Sequence, residues 1–196
     1  GDGLLLSEDR TPNTRGALLT GLAAGQLPAE NLSALAAQID SGEIDTLLVC
    51  REDAAAAGLS EAQLEKVKLI LLDTQSSPAS AKADVLLPAL TVFEKNGSFV
   101  NLNFRLQKFR QAIPGPAGLL PDTLLLGKLL TALTSTTAPE SPATVWKALA
   151  DSDTALRGIA FENIPAEGLP LDGDAFAHLD FPETQSLKYA PAPAAG

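Results

Sequence analysis

The sequence has no methionine and only one cysteine, one histidine, one tryptophan and one tyrosine among its 196 residues. These absences narrow what it can do. A single Cys50 excludes an internal disulfide, a CxxC redox pair and a four-cysteine cluster site within this chain. A lone His178 cannot supply the usual ligand set of zinc, and its place in the loop-rich Phe176-Ala177-His178-Leu179-Asp180 stretch suits a surface role. Basic charge is scarce as well. Against 24 acidic residues stand 14 basic ones, a formal charge of -10, which repels phosphate backbones and argues against nucleic acid as a partner. No apolar run nears the roughly 18 residues of a membrane span, and the N-terminus lacks a basic segment followed by an apolar one, so no membrane insertion is expected. The motifs GxGxxG, GxxxxGK[ST], GxSxG and HExxH are all missing. The start Gly1-Asp2-Gly3, without methionine, leads us to expect an excised piece of a longer polypeptide.

What is present is enough apolar residue, 45% of the chain, to bury a core. Leu4-Leu5-Leu6 reads as a short strand followed by a polar loop, and Asn13 or Thr14 as the cap of a helix through Leu19. Asn31 opens a second helix, with Leu32, Leu35, Ala36 and Ile39 on one face and Gly42 just past its end. Asp45 to Cys50 is a continuous apolar run, the pattern of a parallel strand covered on both faces. A helix capped by Ser60, a second buried strand Lys68 to Asp73, a helical turn at Ser77-Pro78 and a third strand Ala83 to Pro88 follow. Strand, helix, strand, helix, strand implies βαβ crossovers and a parallel sheet. Beyond it we expect a hairpin (Ser98 to Val100, Leu106 to Phe109) with a charged tip at Glu94-Lys95-Asn96-Gly97, then a Pro/Gly linker. Asp122 or Thr123 should cap an apolar helix to about Leu133, and a further helix should run from Ala143 to Ala150. From Pro165 the chain shows little periodicity, and its Pro/Ala tail from Ala190 reads as extended. The expected organisation is an α/β domain over residues 1–112 with a Rossmann-like parallel sheet flanked by helices. A helical, Pro/Gly/Ala-rich extension over residues 113–196 packs on it.

Three places suit chemistry. Cys50 ends a core strand, where open α/β sheets present ligand-binding groups, so a flavodoxin-like enzyme with Cys50 as nucleophile is one reading; a buried structural thiol is the plainer one. Asp73-Thr74-Gln75 follows a strand and opens a helical turn, and its polar groups suit an anionic or nucleotide ligand, although capping alone accounts for the adjacent serines. Third is the stretch "ADVLLPALTVFEKNGSFVNLNFRLQ". Pro88 ends the ladder, Glu94 brings a carboxylate beside a turn, and Gly97 accepts a positive φ. By physics alone it is a strand, a bend and a hairpin.

The order and spacing of this stretch resemble the molybdopterin oxidoreductase pattern: an ADVVLP-like strand, an acidic residue, a Gly-Thr pair, an Asn and an Arg-x-Gln ending. Here the elements are Ala83 to Pro88, Glu94, Gly97-Ser98, Asn101 and Arg105-Leu106-Gln107. "GEIDTLLVCREDA" resembles the strand and "GEDP" turn that precede it, and "PNTRGALLTGL" the Asn-x-x-Gly-Ala segment further upstream. Within that superfamily the chain is most similar to the G-subunit family of bacterial NADH-quinone oxidoreductase, respiratory complex I. Trp146 to Leu149 and "LRGIAFENIPAEGLPL" resemble the C-terminal segment of that family. The resemblance implies a cofactor-less domain without catalytic residues or metal ligands. It implies iron-sulfur clusters in a missing N-terminal part of the parent, other peripheral-arm subunits as partners, and a cytoplasmic location peripheral to the inner membrane. Asp73, Thr74, Gln75, Glu94, Gly97, Ser98, Asn101 and Arg105 are then vestigial cofactor-binding positions. Asn103-Phe104 stands where many cofactor-binding relatives have Glu-Gly, and Ser98 where they commonly have Thr. Phe104 is therefore expected to fill space that a glycine leaves to a ligand. The Pro/Gly/Ala-rich remainder also lacks the strand alternation of a further cofactor-binding domain. The alternative is a molybdopterin-dependent, formate-dehydrogenase-like catalytic subunit, in which the Asp73 loop and the Glu94 to Asn101 turn would hug a pyranopterin nucleotide.

Overall fold

The computed structural model describes residues 13–23, 25, 28–139 and 141–181. The strand expected at Leu4 to Leu6 and the Pro/Ala tail from Ala190 lie outside them. Three strands, β1 (Thr46–Cys50), β2 (Lys68–Asp73) and β3 (Val85–Pro88), form a parallel sheet in the order β1-β2-β3. The helix α2 (Pro28–Ser41) precedes β1, and the short helices α3 (Ala54–Ala57) and α4 (Glu61–Leu64) connect β1 to β2. Asp53 caps α3 through the amides of Ala55 and Ala56, and Ser60 exchanges both bonds of a capping box with Gln63. A 3₁₀ turn at Pro78–Ala81 leads to β3, and the Asp84 carboxylate accepts the Leu69 amide at 2.7 Å.

The stripe of α2, Leu32, Leu35, Ala36 and Ile39, packs on Leu47 and Val49 of β1 together with Ala54, Leu59, Leu64 and Val67. The opposite sheet face departs from expectation. In register across the sheet stand Leu48, Ile70 and Val85, and Leu48 and Val85 are 38% and 45% exposed. The apolar run of β1 is therefore not covered on both faces, because the connecting helices gather on one side. Helix α2 also begins earlier than expected, at Pro28; Asn31 lies in its first turn and donates to the Ala23 carbonyl at 2.7 Å.

A second, antiparallel sheet has the order β4 (Gly97–Val100), β5 (Arg105–Phe109), β6 (Leu169–Pro170). Its hairpin turn is Asn101 to Phe104; the charged Glu94-Lys95-Asn96 stretch precedes β4 and is not the tip. The late, aperiodic part of the chain contributes β6, which its sequence does not signal, because a two-residue strand carries no alternation to read. Helices α5 (Asp122–Thr134) and α6 (Pro142–Ser152) lie between the hairpin and β6, and 3₁₀ turns at Phe161–Asn163 and Asp174–Phe176 flank β6. Ser141 caps α6. The core here joins Val100, Leu106, Trp146, Ala150, Leu156 and Ile164; the Trp146 indole meets Phe161 edge-on and donates to the Ile159 carbonyl at 2.7 Å.

Helix α1 (Thr14–Leu19) shows why an Asn-x-x-Gly spacing belongs at its start. Asn13 makes no side-chain cap. Its Oδ1 instead accepts the amide of buried Val100 in β4 at 2.8 Å, and a β-carbon at Gly16 would collide with that same oxygen. Asn13→Ala strands a buried N–H, so denaturant titration should show a loss of about 1–3 kcal/mol. Gly16→Ala should also destabilise, although alanine is favoured over glycine in a helix by about 1 kcal/mol. In an Asn13→Ala background the same Gly16→Ala change should become neutral or stabilising.

Candidate functional site

A cavity of about 460 Å³ opens at the carboxyl edge of the parallel sheet, lined by Arg51 after β1, Leu90 after β3, Glu94 to Phe99, Phe109, Gln111 and the start of α5. Open α/β sheets bind ligands at this edge. The Asp122 carboxylate organises it. Its Oδ2 accepts from the Arg51 guanidinium and, at 2.6 Å, from the Lys95 ammonium. Arg51 also donates to the Leu90 carbonyl at 2.7 Å. Asp122 is not the cap of α5 that its position suggests. Pro121 takes the cap position without a side-chain bond, and Asp122 enters the first turn with its carboxylate turned to the two cations. Arg51 holds φ at 60°, in the left-handed region that suits glycine. Its two bonds account for the tolerance of that backbone.

Three of the eight candidate positions, Glu94, Gly97 and Ser98, line this cavity. Glu94 turns its Oε2 back to the amide and hydroxyl of Thr91, at 2.8 and 2.9 Å. Gly97 does not take the positive φ expected of it, because it is the first residue of β4; it is glycine for a different reason, since the Phe109 ring covers its open side and a β-carbon would run into it. Asn101 sits at the opposite end of the hairpin, where its Oδ1 accepts the amides of Asn103 and Arg105 and closes the turn. Arg105 donates to the carbonyls of Glu167 and Gly168. Asp73 accepts the Thr74 amide at 2.6 Å at the end of β2, and Thr74 and Gln75 are exposed. None of these last five lines the cavity. The eight residues therefore do not line one common cavity. The cavity itself is open beside Glu94.

Phe104 also has a left-handed backbone, φ 52°, at the hairpin turn. Its ring stacks on Phe176 at 6.0 Å and meets Phe181 edge-on, and the buried Arg15 guanidinium lies 4.0 Å from the Phe181 ring centre and 5.6 Å from that of Phe104. The side chain at this glycine-like position thus fills space with protein.

Cys50 is exposed, not the buried structural thiol that its strand suggested, because β1 is an edge strand with one open face; desolvation at the strand end and then the Asp122 carboxylate still push its thiol up, while Arg51 pulls the other way and does not win. That is the reverse of an activated nucleophile. His178 is exposed, and among the described residues no group of three His, Cys, Asp or Glu side chains is arranged to hold a metal ion. No helix of the described residues is long and apolar enough to cross a membrane. Sequence reasoning missed the triad as a unit.

With fold and site in view, the comparisons with known proteins place the chain. Residues 10–130, more than half of the sequence, match the molybdopterin oxidoreductase family, and the chain belongs to that family. Over 89 residues it is 34% identical to the F420-dependent formate dehydrogenase 2 subunit alpha of Methanococcus maripaludis, a match covering 44% of this chain and 13% of that relative's length.

Asp122→Asn leaves two cations facing each other. With the three side chains only 15–33% exposed, the loss should be about 1–3 kcal/mol, between an exposed and a fully buried pair. Burial outweighs the pull of Asp122 and holds the Lys95 ammonium below its ordinary titration. The folded protein then sheds this proton before the unfolded chain does, so the cost of charging Lys95 is relieved as pH rises through the folded value toward the ordinary lysine one. Urea midpoints across the alkaline range should show this rise, and Lys95→Met should flatten it. Iodoacetamide should modify Cys50 more slowly than free cysteine at neutral pH.

Proposed function

We propose that this chain is a non-catalytic scaffold domain of an electron-transfer complex, a molybdopterin-oxidoreductase-type unit without its cofactor that corresponds to the C-terminal part of the G-subunit of NADH-quinone oxidoreductase. The observation that carries the reading is the commitment of the candidate cofactor residues to the chain itself: Glu94 to Thr91, Asn101 to the hairpin turn, Arg105 to Glu167 and Gly168. Phe104, clasped by Phe176 and Phe181, supports it. So does the segment after Trp146, whose resemblance to the complex I family coincides with core positions Leu156, Phe161, Ile164 and Leu169. In this reading iron-sulfur clusters belong to an N-terminal part of the parent. The domain contacts other peripheral-arm subunits on the cytoplasmic side, held at the inner membrane through the complex.

A formate-dehydrogenase-like catalytic subunit is the second reading. The similarity to the methanococcal alpha subunit and the cavity beside Glu94 favour it. One measurement separates the two. The parent polypeptide, purified in its complex, should contain iron without stoichiometric molybdenum and release no fluorescent pterin on oxidation; molybdenum at one per chain with formate-dependent dye reduction would establish the catalytic subunit instead.

A further inference from the structure

We infer that the cavity at the carboxyl edge of the parallel sheet docks a carboxylate-bearing, otherwise apolar segment of a partner protein, with Arg51 and Lys95 as its anchor. The inference rests on the scaffold reading and names the kind of partner. Arg51 and Lys95 share a single carboxylate oxygen of Asp122, so two cations meet one anion in a chain whose formal charge is -10. Glu94, the other acid on the wall, is bonded to Thr91 and pairs with neither cation. A second carboxylate entering beside the pair completes an alternation of two positive and two negative groups. Because Lys95 and Asp122 are only 15% and 18% exposed, water screens this arrangement weakly.

The rest of the surface identifies a protein segment, not a free small anion, as the occupant. Val92 and Phe99 line the cavity and are 38% and 36% exposed. Directly beside Val92 in sequence, Phe93 is 64% exposed; its carbonyl accepts the amides of Ala112 and Ile113, which brings Ile113, 52% exposed, next to it. A charged anchor bordered by exposed aromatic and aliphatic side chains has the make-up of a protein contact, with apolar groups to be covered around a buried polar centre.

The test uses the 196-residue chain and an array of blocked pentapeptides whose central residue is Asp, Glu, Asn or Gln and whose flanking residues are Leu, Phe or Ala. Binding is followed by fluorescence anisotropy, with guanosine diphosphate and acetate as competitors. The expected result is binding of acidic peptides with Leu or Phe flanks at least tenfold tighter than that of their amide counterparts. Arg51→Gln and Lys95→Met should each lower it at least tenfold, whereas Arg110→Gln, on an exposed pair with Glu162, should leave it unchanged. The acid-to-amide comparison is made on the unaltered chain and does not depend on any variant folding. Equal binding of acid and amide peptides overturns the proposal, as does displacement of the peptides by acetate at matched concentration. Binding of neither peptide nor nucleotide removes the docking surface and leaves the scaffold reading in place; tight guanosine diphosphate binding in this cavity overturns both.

Discussion

One carboxylate holds together parts of the chain that are far apart in sequence. Asp122, at the start of α5, binds Arg51 at the end of β1 and Lys95 ahead of β4. Through Arg51 the same knot reaches the Leu90 carbonyl beyond β3. The parallel sheet, the approach to the hairpin and the first long helix of the extension therefore meet at one ionic centre. Its placement at the carboxyl edge of the sheet is what gives the cavity walls of both charge signs. Arg51 holds this place in the knot with a left-handed backbone.

Much of this architecture was legible in the sequence. Apolar runs separated by capping residues marked the three parallel strands, and Ser60 caps a helix as read, although that helix stops at Leu64 and does not run on to Val67. The hairpin strands lie where alternation put them. Boundaries failed where a side chain had a better partner than the local backbone. Asn13 and Asp122 both looked like caps, yet each serves a segment distant in sequence, Val100 in one case and Arg51 with Lys95 in the other. Local propensity has no access to such contacts. The exposed face of Leu48 and Val85 was invisible for a related reason: an apolar run records that a strand is apolar, not how many helices lie over it.

The site was legible in part. The family pattern pointed to Glu94, Gly97 and Ser98, which do share the cavity, and to Asn101 and Arg105, which lie at the far end of the same hairpin. A linear pattern marks a stretch of chain and leaves open which end of a hairpin each residue occupies. The triad drew its members from positions 51, 95 and 122, and nothing in their local context joins them. In this member of the molybdopterin oxidoreductase family, Glu94, Asn101 and Arg105 bond to neighbours within the chain.

The clasp around Phe104 bears on how the molecule comes apart. Arg15 of α1, the hairpin turn and the rings of Phe176 and Phe181 share one cluster, and the Leu171 amide donates to the Phe104 carbonyl. The earliest and latest described segments are thereby latched to each other through a residue midway between them. Loosening either end should free the other, whereas the three parallel strands rest on a separate set of aliphatic contacts and should open independently of that latch.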